Sequence, residues 1–134
     1  MDGRGIPLSL VVSGAETPDV SLVAETLAKR IVRRAKAYAF PPQYLSGEKG
    51  YTGEAAWKAA QREGYTPALQ QRGATTDRIP EPAARRRRWM VERCHRWLNL
   101  FRKLTSRDEK LKRSYEGLLQ LACAMICWRQ TIPI

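Results

Sequence analysis

The sequence predicts an α/β fold, a small mixed sheet covered by helices, with two long helices at its C-terminal end. Three observations predict it. Ile6, Leu8, Leu10 and Val12 alternate with Pro7, Ser9, Val11 and Ser13, the period of a strand. Two more short strand patterns, 43–46 and 65–69, are interleaved with segments whose apolar residues recur at helical spacing. The resulting order is strand, helix, strand, helix, strand, helix, helix. At 134 residues the chain is one domain at most, with room for a core.

The first element is preceded by Asp2-Gly3-Arg4-Gly5, a hairpin-turn signal. A hairpin needs a strand on each side, and only Met1 precedes this turn. Either residues 2–5 are a frayed start, or a first strand is missing. Ser13-Gly14-Ala15 ends the strand at 6–12. A helix then opens with Thr17 as N-cap, Pro18 at the first helical position and Asp19 at the positive end of the dipole. Its expected buried stripe is Val20, Val23, Leu27, Ile31, Ala35 and Tyr38, and Pro41-Pro42 close it. Lys29, Arg30, Arg33, Arg34 and Lys36 crowd its C-terminal half, where they suit the dipole or simply keep the helix soluble.

The strand at 43–46 leads into Gly47-Glu48-Lys49-Gly50-Tyr51. An acid at a strand end followed by a turn glycine is a common place for a functional carboxylate, and equally for an ordinary loop acid. Thr52 is placed to cap a helix to about Glu63, with Ala55, Ala56, Ala59 and Ala60 favouring it and Gly64 stopping it. After the strand at 65–69, residues 70–82 read as a loop.

The stretch 85–104, RRRRWMVERCHRWLNLFRKL, is the most informative. At helical spacing Met90, Cys94, Trp97, Leu98, Phe101 and Leu104 share a core-facing side. Glu92, His95, Arg96 and Asn99 share another, at i, i+3, i+4 and i+7. Glu92 is the one acid among Arg85, Arg86, Arg87, Arg88, Arg93, Arg96, Arg102 and Lys103. Such a carboxylate is either a surface partner of Arg88 and Arg96, or a metal ligand held where a polyanion docks; spacing alone favours the first. Residues 105–107 break the pattern. A last helix at 108–129 sets Leu111, Tyr115, Leu118, Leu119, Ala122, Met125, Ile126 and Cys127 on a broad side expected to be largely buried.

Net charge of +11 and a pI near 10.1 point to a polyanionic partner, nucleic acid before membrane. The charge is concentrated, with thirteen Lys/Arg against four acids between Arg78 and Arg113. Three cysteines without framework spacing indicate a reducing cytosol, and Cys123 and Cys127 read as small core residues. A single His and scattered Cys do not make a zinc site. No signal peptide precedes the strand at 6–12, and the longest apolar stretch, 118–128, is too short to span a bilayer.

Taken together, four blocks resemble the C-terminal part of insertion-sequence transposases of the DDE class. The first runs Asp2-Gly3-Arg4-Gly5-Ile6-Pro7-Leu8-Ser9-Leu10-Val11-Val12-Ser13-Gly14-Ala15, and the second is Glu48-Lys49-Gly50-Tyr51. The third is Trp89-Met90-Val91-Glu92-Arg93-Cys94-His95-Arg96-Trp97-Leu98-Asn99, continuing through Phe101-Arg102, and the last is Leu118-Leu119-Gln120-Leu121-Ala122-Cys123-Ala124. The resemblance implies an incomplete RNase H-like domain, with residues 1–134 forming a single partial catalytic domain. It also implies three carboxylates holding two Mg²⁺ or Mn²⁺ ions for in-line phosphoryl transfer on DNA.

On this resemblance Glu92 matches the last acid of the triad, which moves its reading to the catalytic position, and Glu48 stands where the second acid is normally Asp. Arg88 and Arg93 match basic positions beside the last acid. Arg85, Arg86, Arg87, Arg96, Asn99, Arg102 and Lys103 complete the expected DNA contacts, with Asn99 where many relatives carry Lys. The strand bearing the first Asp has no match, which is the gap the Asp-Gly turn already exposes. The expectation is therefore a bacterial transposase chain, truncated and inactive alone, that binds the DNA of element ends. Its partners would be itself or an intact transposase, and its place the cytoplasm, associated with the nucleoid. The alternative is a non-catalytic basic DNA-binding module or a regulator of an intact transposase.

Overall fold

A computed structural model describes residues 1–32, 42–47, 51, 53–69 and 89–132. Clustering divides the chain into two compact units, Ser13–Arg86 and Met1–Val12 with Arg87–Ile134. The described residues form helices and one small parallel sheet, consistent with α/β.

In the unit Ser13–Arg86, a 3₁₀ turn at Asp19–Leu22 runs into helix α1, Val23–Ala28. The expected cap is not formed. The Thr17 N–H is already bonded to the Gly14 carbonyl (3.0 Å), which ties Thr17 into a turn, and Pro18 takes the N-cap position without a side-chain bond. The helix also stops early, so its period runs out before the last stripe residue described: Ile31 is 78% exposed rather than buried. Ala35 and Tyr38 lie outside the described residues.

Strands β1, Tyr44–Ser46, and β2, Thr66–Ala68, pair in parallel, with Leu45 opposite Pro67. Helix α2, Glu54–Arg62, connects them. A parallel pair cannot be closed by a tight hairpin and needs such a crossover. The sheet is parallel in both described strands, where a mixed one was expected. Gly64 ends α2 as the sequence predicts, in a Schellman arrangement: its N–H bonds to the Gln61 carbonyl (2.8 Å) and the Tyr65 N–H to that of Ala60 (2.9 Å). Ala56 and Ala60 are fully buried on α2, and small side chains there let α1 and β2 approach closely. Val23, Ala56 and Leu69 form the core, with Val20, Leu27, Leu45, Tyr51, Trp57 and Ala59 packed against it. Arg30 at the end of α1 reaches Glu63 at the end of α2 (2.6 Å), both partly buried.

The other unit begins with a closed turn. The Asp2 N–H bonds to the Ile6 carbonyl (2.9 Å) and the Gly5 N–H to that of Asp2 (3.1 Å). The Asp2 carboxylate accepts from the backbone N–H groups of Arg4 (2.8 Å) and Ile6 (2.9 Å). Gly5 has φ +86°, and a Cβ there would stand 3.1 Å from the Met90 carbonyl. These residues form an ordered turn rather than a frayed start. Residues 6–12 form no strand among the described residues, because their apolar alternation meets no partner edge; Ile6 and Pro7 are instead both buried.

Three helices complete this unit: α3, Trp89–Asn99; α4, Arg102–Ser106; and α5, Lys112–Thr131. One long helix was expected from 85 to 104. It breaks at Leu100 and Phe101, where Phe101 turns extended (φ −89°, ψ 98°) and becomes the N-cap of α4. Arg107 ends α4 in the left-handed region (φ 36°), matching the break predicted there. Met90, Cys94 and Leu104 are buried and Trp97, Leu98 and Phe101 half-buried, so the expected core face is correct.

The last helix departs from expectation. Only Ala122 and Ile126 are buried on α5, while Leu121, Met125 and Trp128 form an exposed apolar stripe at i, i+4 and i+7, and Ile132 just past the helix is exposed too. Its apolar residues encircle the helix, and the three helices cover one side only. No helix among the described residues is long and apolar enough to cross a membrane.

Candidate nucleic-acid interface

The basic stretch survives in structure as α3 and α4, and most of its polar side chains face outward. Glu92, His95, Arg96 and Asn99 are all exposed on α3, sharing the face that their spacing defines. Arg102 and Lys103 are exposed at the start of α4. None of Glu92, Arg96, Arg102 or Lys103 takes part in an ion pair among the described residues. The surface pairing of Glu92 with Arg96 is therefore not formed. Arg85, Arg86, Arg87, Arg88 and Glu48 lie outside the described residues. Gly47, immediately before Glu48, packs tightly at the end of β1: a Cβ there would come within 2.7 Å of Leu69 Cδ2.

Arg93 behaves differently from its neighbours. Its guanidinium lies 4.5 Å from the Trp97 ring centroid and 5.5 Å from that of Trp89, so the cation sits between two indoles four residues to either side. Each such contact is worth about 0.5–1 kcal/mol at an exposed site. Gly5 lies beside its stem, where an added Cβ would stand 3.7 Å from Arg93 Cδ and 3.8 Å from Arg93 Cβ. The spacing of Trp89, Arg93 and Trp97 was present in the sequence. It was missed because Trp97 was read only as a core residue and Trp89 was given no face.

Three titrating groups are perturbed within this unit, Asp2, Cys94 and Cys123, and burial raises the Cys94 thiol. Burial alone raises the Asp2 pKa, but hydrogen bonds from the Ile6 and Arg4 backbone, then the Arg4 guanidinium, hold it below its ordinary value. Asp2 is thus committed to its turn. Burial pushes the Cys123 thiol up to about 11, with the Cys94 and Cys127 thiols adding to the effect. Cys94 is buried, while Cys123 and Cys127, expected in the core, are only half-buried, and the Cys127 thiol donates to the Pro7 carbonyl (3.7 Å).

Residues 46–129 match the family model of the transposase DDE domain, more than half of the chain. The chain belongs to the transposase DDE domain family. It is 29% identical over 129 residues to a Burkholderia cepacia protein named as a candidate transposase for insertion sequence element IS402. That similarity covers 95% of this chain and 59% of the relative, so the chain spans well under two thirds of the relative's length. No solved structure matches.

Membership in this transposase family implies a divalent metal, which takes hard oxygen ligands. Glu92 is an exposed carboxylate, an oxygen donor of that kind, with no cation paired to it among the described residues. No three His, Cys, Asp or Glu side chains among the described residues come together to hold an ion.

Proposed function

We propose that this chain is part of an RNase H-like transposase catalytic domain that acts in metal-dependent cleavage and transfer of DNA strands. The observation carrying this reading is Glu92, a carboxylate at the first turn of a helix, exposed beside Arg96 and without an ion-pair partner among the described residues. Surface ion pairs are weak, so such a carboxylate is available for a metal ion. Glu92 and Glu48 would hold Mg²⁺ or Mn²⁺, and bound metal would supply Lewis-acid polarisation of a scissile phosphate. Arg96, Arg102 and Lys103, with the run Arg85–Arg88, would grip phosphates and fix the DNA without reading its sequence. Asn99 would add a hydrogen bond without charge. The work is thus done with DNA, in the cytoplasm or at the nucleoid.

On this reading Glu48 and Glu92 are acids of the metal site, and Glu48 carries one methylene more than the usual Asp. A shift of about an ångström can cost on the order of a hundredfold in rate. Alone, the chain is therefore expected to bind DNA without transposing it. The test is nicking of supercoiled plasmid in Mn²⁺ by the folded chain beside Glu92→Gln. Nicking that vanishes in the variant supports a working metal site and refutes inactivity. No nicking, with DNA binding that responds to Mg²⁺ and to Glu92→Gln, supports an incomplete one.

A second reading, a basic DNA-binding module or regulator, is favoured by the exposed Arg96, Arg102 and Lys103. It requires affinity that falls steeply with salt and is indifferent to both Mg²⁺ and Glu92→Gln.

A further inference from the structure

The geometry points to Trp89 as a stacking platform for an unpaired DNA base, held in place by Arg93 and Trp97. This rests on the reading that the chain binds DNA, and adds a site for bases to one otherwise built for phosphates. Trp89 is 49% exposed, an unusual position for the largest side chain on a helix that has an apolar side available. One neighbour on its ring is Arg93, whose guanidinium is itself carried over Trp97. The indole is therefore presented at the end of a three-residue ladder rather than folded into the core.

The ladder has the chemistry that unpaired nucleic acid uses. Every base has a π-face, so an exposed indole accepts any of them, and a cation adjacent to the stack neutralises the phosphate that follows the base. Paired bases inside a duplex have no free face to offer. The ladder thus distinguishes a frayed or single-stranded end from intact duplex, which the cations on α3 and α4 do not.

The experiment is anisotropy with three labelled DNAs: a blunt duplex, the same duplex with a short single-stranded tail, and the duplex with an abasic tail of equal length. The abasic tail keeps the phosphates and removes the bases. Wild type is expected to bind the base-bearing tail more tightly than the abasic one. Trp89→Ala should lose that preference, weakening tailed-duplex binding by roughly fivefold to a hundredfold while blunt-duplex binding stays within about twofold. Trp89→Phe should retain most of the preference, and far-UV circular dichroism shows that both variants fold. Equal wild-type affinity for the two tails overturns the stacking site, as does a uniform loss on all three DNAs in Trp89→Ala. Wild type that binds none of the three overturns the proposed function along with it.

Discussion

Helices α1–α2 and helices α3–α4 use charge in opposite ways. On the first pair the described ion pairs are internal ties: Lys58 pairs with Glu54 along α2, Lys29 with Glu25 along α1, and Arg30 with Glu63 between the two helices. On α3 and α4 the exposed cations have no ion-pair partner among the described residues, and Arg93 is braced by indoles instead of a carboxylate. A paired cation adds to stability and is spent. An unpaired one adds nothing to the fold and keeps its full attraction for a phosphate. On the proposed function, the contrast suits α3–α4 to contact with a polyanion and α1–α2 to holding the fold.

The sharpest way to break that contrast is to remove charge from each side. Arg96→Gln, Arg102→Gln and Lys103→Gln together should make the log–log salt dependence of DNA binding shallower by roughly 2–3. Urea unfolding should move by no more than about 0.5 kcal/mol. A large stability loss with an unchanged salt slope would reverse the assignment. Ile126→Ala tests whether α5 is anchored by its few buried residues, and should cost about 2–5 kcal/mol in urea unfolding. A loss well under this would mean that α5 is held elsewhere.

Smaller effects sharpen the scaffold side. Arg30→Gln should destabilise by about 1 kcal/mol, reflecting a pair only partly shielded from water, and the loss should shrink at high salt. If the DNA salt slope changed as well, Arg30 would belong to the interface. Cys123 gives the finest probe. Its thiol ionises at about 11 in the fold, above its unfolded value, so the unfolded chain loses its proton first. The stability it contributes is intact below the unfolded pKa and declines as pH rises toward 11. Cys123→Ala should flatten that alkaline decline, measured as midpoint against pH.

Much of this was legible in the sequence, and the boundary is physical. The stop at Gly64, the core face Met90–Cys94–Leu104 and the outward face of Glu92 and Arg96 follow from local periodicity and backbone rules, and all are found. The family was legible too, because four blocks in order carry more information than any one spacing. What escaped depends on distant partners. Whether residues 6–12 become a strand is decided by an available sheet edge, not by alternation. Arg30 meets Glu63 across 33 residues of sequence, with no local signature. Thr17 was a sound capping residue until a turn to Gly14 claimed its backbone. The ladder was written plainly at spacing four, but an aromatic residue at helical period reads first as core.

The stripe of Leu121, Met125 and Trp128 has a calorimetric consequence. Apolar surface already wet in the folded state is not newly hydrated when the chain melts, so these groups add less than buried ones to the heat capacity of unfolding and to its urea sensitivity. A chain of 134 residues ordinarily shows about 12–15 cal/mol/K per residue. This one should fall below that range, and anything that dries the stripe should restore the difference.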